Sequence, residues 1–332
     1  LSVTIIAEAG VNHDGSLEKA FQLVRAARAS GADIVKFQHF RTDEIVAQDA
    51  STAAYQSTNT GLAKQHDLLR DLEIDLDGFA RIAALCSEEG IGFLCTAFDV
   101  TSATELVALG MPAMKIPSGE LTNLPMLRSY ASFGLPVWLS TGMGTEAEVV
   151  EAVETLENAG ARDITIMHCT SLYPAPPETL NLSAIATLAR RFECPVGFSD
   201  HSLDDHATIA AVALGATLIE KHFTLDCTAP GPDHRASLEP AAFSAMVRRI
   251  RDIALMKGDG IKRPHPLELN TASVARRSWH ATLDLPAGHI LRAGDVALKR
   301  PATGLAPSVD PLGRQLLVGV AAGTSLRASD LK

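Results

Sequence analysis

Eight times along this chain a short apolar run ends in polar residues and gives way to an amphipathic stretch. That recurrence restricts the fold more than any other feature. The apolar runs read as strands over 3–9, 34–38, 92–97, 113–117, 137–141, 164–169, 195–199 and 217–223. Helical spacing appears at 16–30, 77–89, 101–109, 145–158 and 183–192, with Ser16, Thr101, Thr145 and Ser183 as expected caps. Regular alternation of this kind builds a parallel sheet, and eight units favour its closure into a (β/α)8 TIM barrel. An open doubly wound sheet is the alternative, but no G-x-G-x-x-G fingerprint supports it.

Two segments depart from the rhythm. Residues 41–75 form an insertion after the second strand, and insertions of that length act as lids, binding loops or partner contacts. After Lys257 a stretch rich in glycine and proline leads to a turn-rich, β-like end. The expected division is a barrel over 1–260, a linker over 261–275 and a small β-rich domain over 276–332. A β-rich piece of under ~60 residues is marginal alone and is expected to pack on something.

Composition fits this reading. Hydrophobic residues make up 46% and charged ones 20%, enough for a sizeable core. The net charge of −10 argues against broad nucleic-acid binding. No apolar run approaches the ~20 residues of a membrane span, and residues 1–7 show no basic leader or processing site. Five scattered cysteines without a C-x-x-C pair suit a reducing cytoplasm.

Polar groups collect at one end of the strands, where a barrel carries its chemistry. In the eighth run Leu218, Glu220 and His222 share one face and Ile219, Lys221 and Phe223 the other. Lys36 and Lys115 interrupt apolar strands, which is costly unless each is paired. Each alone reads as a structural ion pair. Together with Thr96, Ser118, Ser140, Ser171 and Ser199 they read as a pocket for a phosphate- and carboxylate-bearing anion. His201 and His222 end neighbouring strands roughly 4.8 Å apart. Two imidazoles there suit a divalent ion, Mn²⁺ or Mg²⁺ rather than structural zinc, with Glu8 or water completing the shell. Glu8, Glu120 and Glu220 supply carboxylates for proton transfer or for pairing with the lysines, and their division into acid and base stays open.

The motifs that carry these groups are Ile6-Ala-Glu-Ala-Gly-Val-Asn-His13, Val35-Lys-Phe-Gln38, Lys115-Ile-Pro-Ser-Gly-Glu120, Leu139-Ser-Thr-Gly-Met143, His168-Cys-Thr-Ser-Leu-Tyr173, Gly197-Phe-Ser-Asp-His201 and Glu220-Lys-His-Phe-Thr-Leu-Asp226. Over nearly the whole chain they resemble the bacterial sialic acid synthase family, which includes N-acetylneuraminate and legionaminate synthases. The last segment, with Lys299-Arg-Pro-Ala-Thr-Gly304, resembles that family's antifreeze-like (SAF) domain. The resemblance implies condensation of phosphoenolpyruvate with the open-chain form of an N-acylmannosamine-type sugar, with release of phosphate. It implies that Lys36, Thr96, Lys115, Ser118, Ser140, Ser171 and Ser199 hold phosphoenolpyruvate and that Gln38, Tyr173 and Asp233 hold the sugar. His201 and His222 would bind the metal, and Glu8, Glu120 and Glu220 would act on protons, sugar or water. It further implies a domain-swapped homodimer in which Arg300 reaches the partner's barrel.

Ala97, Ser171 and Ala302 depart from the family's pattern, while Ser118-Gly-Glu120 argues against its pseudaminate branch. Two other readings fit the same residues: another metal-dependent phosphoenolpyruvate-condensing or aldolase-type barrel, and a non-catalytic sugar-binding protein.

Overall fold

The computed structural model describes residues 3–332; residues 1 and 2, part of the opening stretch read above, lie outside the described residues. Eight parallel strands form one sheet: β1 (Thr4–Gly10), β2 (Ile34–His39), β3 (Gly92–Ala97), β4 (Met114–Ile116), β5 (Val137–Ser140), β6 (Ile164–Cys169), β7 (Val196–Asp200) and β8 (Leu218–His222). Their order is β3-β2-β1-β8-β7-β6-β5-β4, which is the sequence order wrapped round on itself. β3 and β4 end the hydrogen-bonded order and pack side by side, giving a near-barrel of the TIM type. Each expected strand is present, with ends displaced by at most one residue.

The strands are buried on both faces because helices cover the outside, so apolar residues run almost without interruption along them. Gly197 shows how tightly the interior fills. A Cβ there would lie 2.7 Å from the Leu218 carbonyl oxygen and 3.0 Å from Leu218 Cβ.

Ser16 caps the helix Leu17–Ala29 by accepting from the Lys19 N–H, and Thr145 caps Glu146–Asn158 with a complete capping box. Two expected caps are corrected. Asp99, not Thr101, accepts from the Ser102 N–H and starts Val100–Val107, because a carboxylate two residues upstream reaches the free amides first. Ser183 is already inside its helix, Ser183–Phe192, and the residue before it, Leu182, has no capping side chain.

The insertion after β2 is not a bare loop. It carries helices Thr42–Ile45, Ala54–Thr60 and Gln65–Arg70. Leu68 and Leu72 bury against Val11 and Phe40 in a small apolar cluster of their own. Asn59 Nδ2 donates to the Pro232 carbonyl at 3.0 Å, tying the insertion to the loop after β8.

The second compact unit begins at Asp259. The expected linker 261–275 is more structured than its composition predicts, with a 3-10 turn at Pro266–Glu268 and a helix at Leu269–Ala275. Beyond it β9 (Ser278–Ala281) pairs antiparallel with β10 (Val296–Lys299). Leu285, Leu291, Leu305, Leu316, Val320 and Leu326 join Ala281 and Val296 in a separate apolar core. Among the described residues no helix is long and apolar enough to cross a membrane.

Candidate active site

A cavity of about 490 Å³ opens at the C-terminal ends of the eight strands. It is lined by Glu8, Lys36, Gln38, Thr96, Lys115, Ser118, Ser140, Ser171, Tyr173, Ser199, His201, Glu220, His222 and Asp233. Strand parity explains the set. Lys36 and Gln38 face inward on β2 while Phe37 and His39 face the helices, and Glu220 and His222 face inward on β8.

Barrel register sets the contacts. Glu8 lies opposite Lys36 on one side and His222 on the other, and Ser199 lies opposite Glu220. Lys36 Nζ stands 2.8 Å from Glu8 Oε2 and 3.6 Å from Glu220 Oε2, and donates to Thr96 Oγ1 at 3.1 Å. Lys115 Nζ donates to Ser140 Oγ at 2.8 Å and stands 3.5 Å from Glu220 Oε1. Ser199 Oγ donates to the same Oε1 at 3.0 Å, and Gln38 Nε2 donates to Glu8 Oε1 at 2.8 Å. The two ammonium groups therefore face each other across Glu220.

The two inward carboxyls differ sharply. Burial pushes Glu8 up to about 7, with Lys36 holding it down and Glu220 pushing it further up. Burial acts the same way on Glu220, but Lys115 and Lys36 together overcome it and hold that carboxyl at about 2. Glu220 is thus an anion at neutral pH, while Glu8 is poised to take or give a proton. Burial also raises Asp233 to about 6 against the pull of His201 and His234.

The imidazoles of His201 and His222 lie 5.3 Å apart between ring centres, and Tyr173 sits 4.1 Å from the His201 ring. His201 Nδ1 donates to the Thr170 carbonyl at 2.7 Å, which leaves Nε2 as the lone-pair nitrogen. His222 Nδ1 is buried with no hydrogen-bond partner. An orphaned imidazole nitrogen beside a second, oriented imidazole fits a divalent cation, with Asp233 Oδ2 3.9 Å from His222 Nδ1. Among the described residues three ligand atoms converge only at exposed Asp226 and Glu239 and half-buried Cys227. There the Cys227 N–H donates to Glu239 and Asp226 accepts from Thr228, so loop hydrogen bonds account for the cluster.

One expected site residue stands elsewhere. Glu120 ends a 3-10 turn, Ser118–Glu120, whose three-residue period keeps Ser118 inward and rotates Glu120 away. Its Oε2 accepts from Asn123 Nδ2 at 2.7 Å, and it does not line the cavity. Arg300 directly follows β10 in the second unit and is exposed.

Lining residues from the insertion had no motif to reveal them. The insertion supplies Tyr55, Gln65, Leu68 and Leu69, and only its length signalled a role. Cys169 and Met143 also line the cavity. Gly142 fits between them because a Cβ there would lie 2.2 Å from Ser171 Oγ and 2.8 Å from Ser118 Oγ. Its N–H is held by Ser118 Oγ at 2.9 Å.

A parallel barrel that gathers buried ammonium, imidazole and carboxylate groups at the C-terminal ends of its strands has the architecture of a (β/α)8 enzyme, and this chain is an enzyme of the synthase, transferase type. The NeuB family profile matches residues 23–262 and a SAF domain matches 276–332. The chain belongs to the NeuB family. It is 43% identical to the N,N'-diacetyllegionaminic acid synthase of Legionella pneumophila over 97% of this chain and 92% of that protein. It is also 43% identical to the enzyme of the same name from Campylobacter jejuni, over 91% of each chain. The crystal structure of an N-acetylneuraminic acid (sialic acid) synthetase from Leptospira borgpetersenii in complex with citrate superposes with a TM-score of 0.74. The two share 32% identity over 82% of this chain and 90% of that one.

Proposed function

We propose that this chain is a nonulosonic acid synthase that condenses phosphoenolpyruvate with an open-chain, unphosphorylated N-acylmannosamine-type sugar. The observation that carries the reading is the placement of Lys36 and Lys115 across Glu220 in one cavity, with Thr96, Ser140 and Ser199 between them. Two ammonium groups and a ring of hydroxyls match a small substrate bearing both phosphate and carboxylate.

In this reading C3 of phosphoenolpyruvate forms a bond to the aldehyde carbon of the sugar, and the aldehyde oxygen takes a proton from Glu8. Water adds to C2, and the resulting tetrahedral centre expels inorganic phosphate to leave the 2-keto acid. Lys36 and Lys115 hold the phosphate and carboxylate and stabilise the charge that leaves with phosphate. Glu220 keeps both ammonium groups charged and in place. His201 and His222 are the residues that would hold a divalent ion, Mn²⁺ or Mg²⁺, whose Lewis acidity polarises a carbonyl oxygen. Gln38, Tyr173 and Asp233 line the sugar end. The functional unit is a domain-swapped homodimer in which Arg300 of the partner subunit completes the site.

Lys36 and Lys115 are the only ammonium or guanidinium groups among the described lining residues, and both are taken by phosphoenolpyruvate in this reading, which leaves the partner's Arg300 alone to meet any phosphate on the acceptor. Both 43%-identical relatives are named for N,N'-diacetyllegionaminic acid, which supports 2,4-diacetamido-2,4,6-trideoxymannose over N-acetylmannosamine as that acceptor. The test is phosphate release with phosphoenolpyruvate, sugar and Mn²⁺ supplied singly and together. Release requires all three under this proposal. Release with a phosphorylated pentose instead assigns the chain to another phosphoenolpyruvate-condensing class, and no release with any sugar favours a binding protein.

A further inference from the structure

The charged groups of the cavity all come from the barrel strands and the loops that follow them, and the insertion after β2 contributes none. What it contributes is Tyr55, the amides of Gln56 and Gln65, and the apolar side chains of Leu68 and Leu69. Tyr55 stacks on Tyr173 at 5.1 Å between ring centres with an interplanar angle of 21°, and Tyr173 in turn lies against His201. The insertion is held over the mouth by its apolar cluster with Val11 and Phe40 and by the Asn59–Pro232 hydrogen bond, and the two-pronged Arg70–Asp43 ion pair at 2.7 Å braces it internally. The anion-binding floor and this uncharged wall therefore belong to different parts of the chain.

We propose that Tyr55 is a specificity-determining residue, its ring forming with Leu69 the apolar wall against which the acceptor's second N-acyl group packs. The inference rests on the reading of the acceptor as an N-acylated amino sugar and names the residue that selects among such sugars. A rigid aromatic face gives contact area at little entropic cost, and the Tyr173 ring behind it fixes its angle. An acyl methyl resting there is sheltered from water, whereas a hydroxyl in its place is left against carbon. A single apolar contact of this kind is worth roughly 10- to 200-fold in selectivity.

The experiment compares kcat/KM for 2,4-diacetamido-2,4,6-trideoxymannose with that for N-acetylmannosamine in the full-length enzyme and in Tyr55→Ala and Tyr55→Phe. The ratio is expected to fall by about 10-fold or more in Tyr55→Ala. It is expected to stay near the wild-type value in Tyr55→Phe, which keeps the ring. KM for phosphoenolpyruvate is expected to be unchanged in both. An unchanged sugar ratio in Tyr55→Ala overturns the proposal, as does a parallel rise in both substrates' KM. If the wild-type enzyme releases no phosphate with either sugar, the functional reading itself falls and takes this inference with it.

Discussion

The ammonium of Lys36 lies 2.8 Å from the Glu8 carboxylate, with both side chains at least 96% buried and their strands in register. Such a pair is a stable resting arrangement that an incoming trianion must partly take over. Lys36 also faces Glu220, so the free site balances two cations against two carboxyls. A substrate that brings negative charge is met by Lys36 and Lys115 and tolerated because Glu8 can neutralise by protonation.

Lys36→Met is expected to abolish turnover and also to lower stability by on the order of 3 kcal/mol, because a buried carboxyl loses its partner. Adding Glu8→Gln removes the uncompensated charge. The double variant is expected to regain most of the denaturant midpoint while remaining inactive. A single variant as stable as wild type would show that the pair is not coupled.

His222→Ala is expected to eliminate turnover with the far-UV circular dichroism and melting temperature little changed, since its Nδ1 makes no hydrogen bond that would be lost and its contact to Asp233 Oδ2 is long, at 3.9 Å. Chelator treatment of the wild-type enzyme is expected to give the same loss, reversed by Mn²⁺, whereas the variant is not rescued. Full activity after exhaustive chelation would remove the metal from the scheme.

Gly142→Ala is expected to fold but to bind phosphoenolpyruvate poorly. The added methyl meets Ser171 and Ser118 side chains, which can rotate, so the site is displaced rather than the barrel broken. Displacements of about 1 Å cost around 100-fold, read as kcat/KM for phosphoenolpyruvate. Ser171→Gly in the same chain is expected to restore part of it; no restoration would place the damage elsewhere.

Lys221 and Glu220 are adjacent yet predicted to fail differently. Lys221 points away from the cavity and donates to Asp200 at 2.9 Å and to the Ser202 and Asp204 carbonyls, with no exposed surface at either member of the ion pair. Lys221→Met is expected to lower stability by about 3–5 kcal/mol, measured by urea titration, with activity retained by the folded fraction. Glu220→Gln is expected to lose turnover by about 100-fold or more and to cost stability as well, because buried Lys115 loses its carboxylate partner. Equal behaviour of the two would contradict their placement on opposite faces of β8.

The strand ends, the eight βα units and the inward parity of Lys36, Gln38, Lys115, Glu220 and His222 were legible in the sequence because a period of two is written in neighbouring residues. Glu120 was misplaced because a short 3-10 turn breaks that parity, and Ser-Gly-Glu does not announce it. Tyr55 was missed because nothing local distinguishes a tyrosine that stacks over a cavity from one on an exposed helix.

The amino-acid order determined which side chains leave each strand toward the inside, and hence the kinds of group the cavity holds. The tertiary structure alone decided who meets whom: Glu8 with Lys36 and His222, Lys115 with Ser140, Tyr55 with Tyr173. Parity is a property of adjacent peptide units. A 2.8 Å contact between distant residues depends on register and on how the sheet wraps round, which no short stretch of chain encodes.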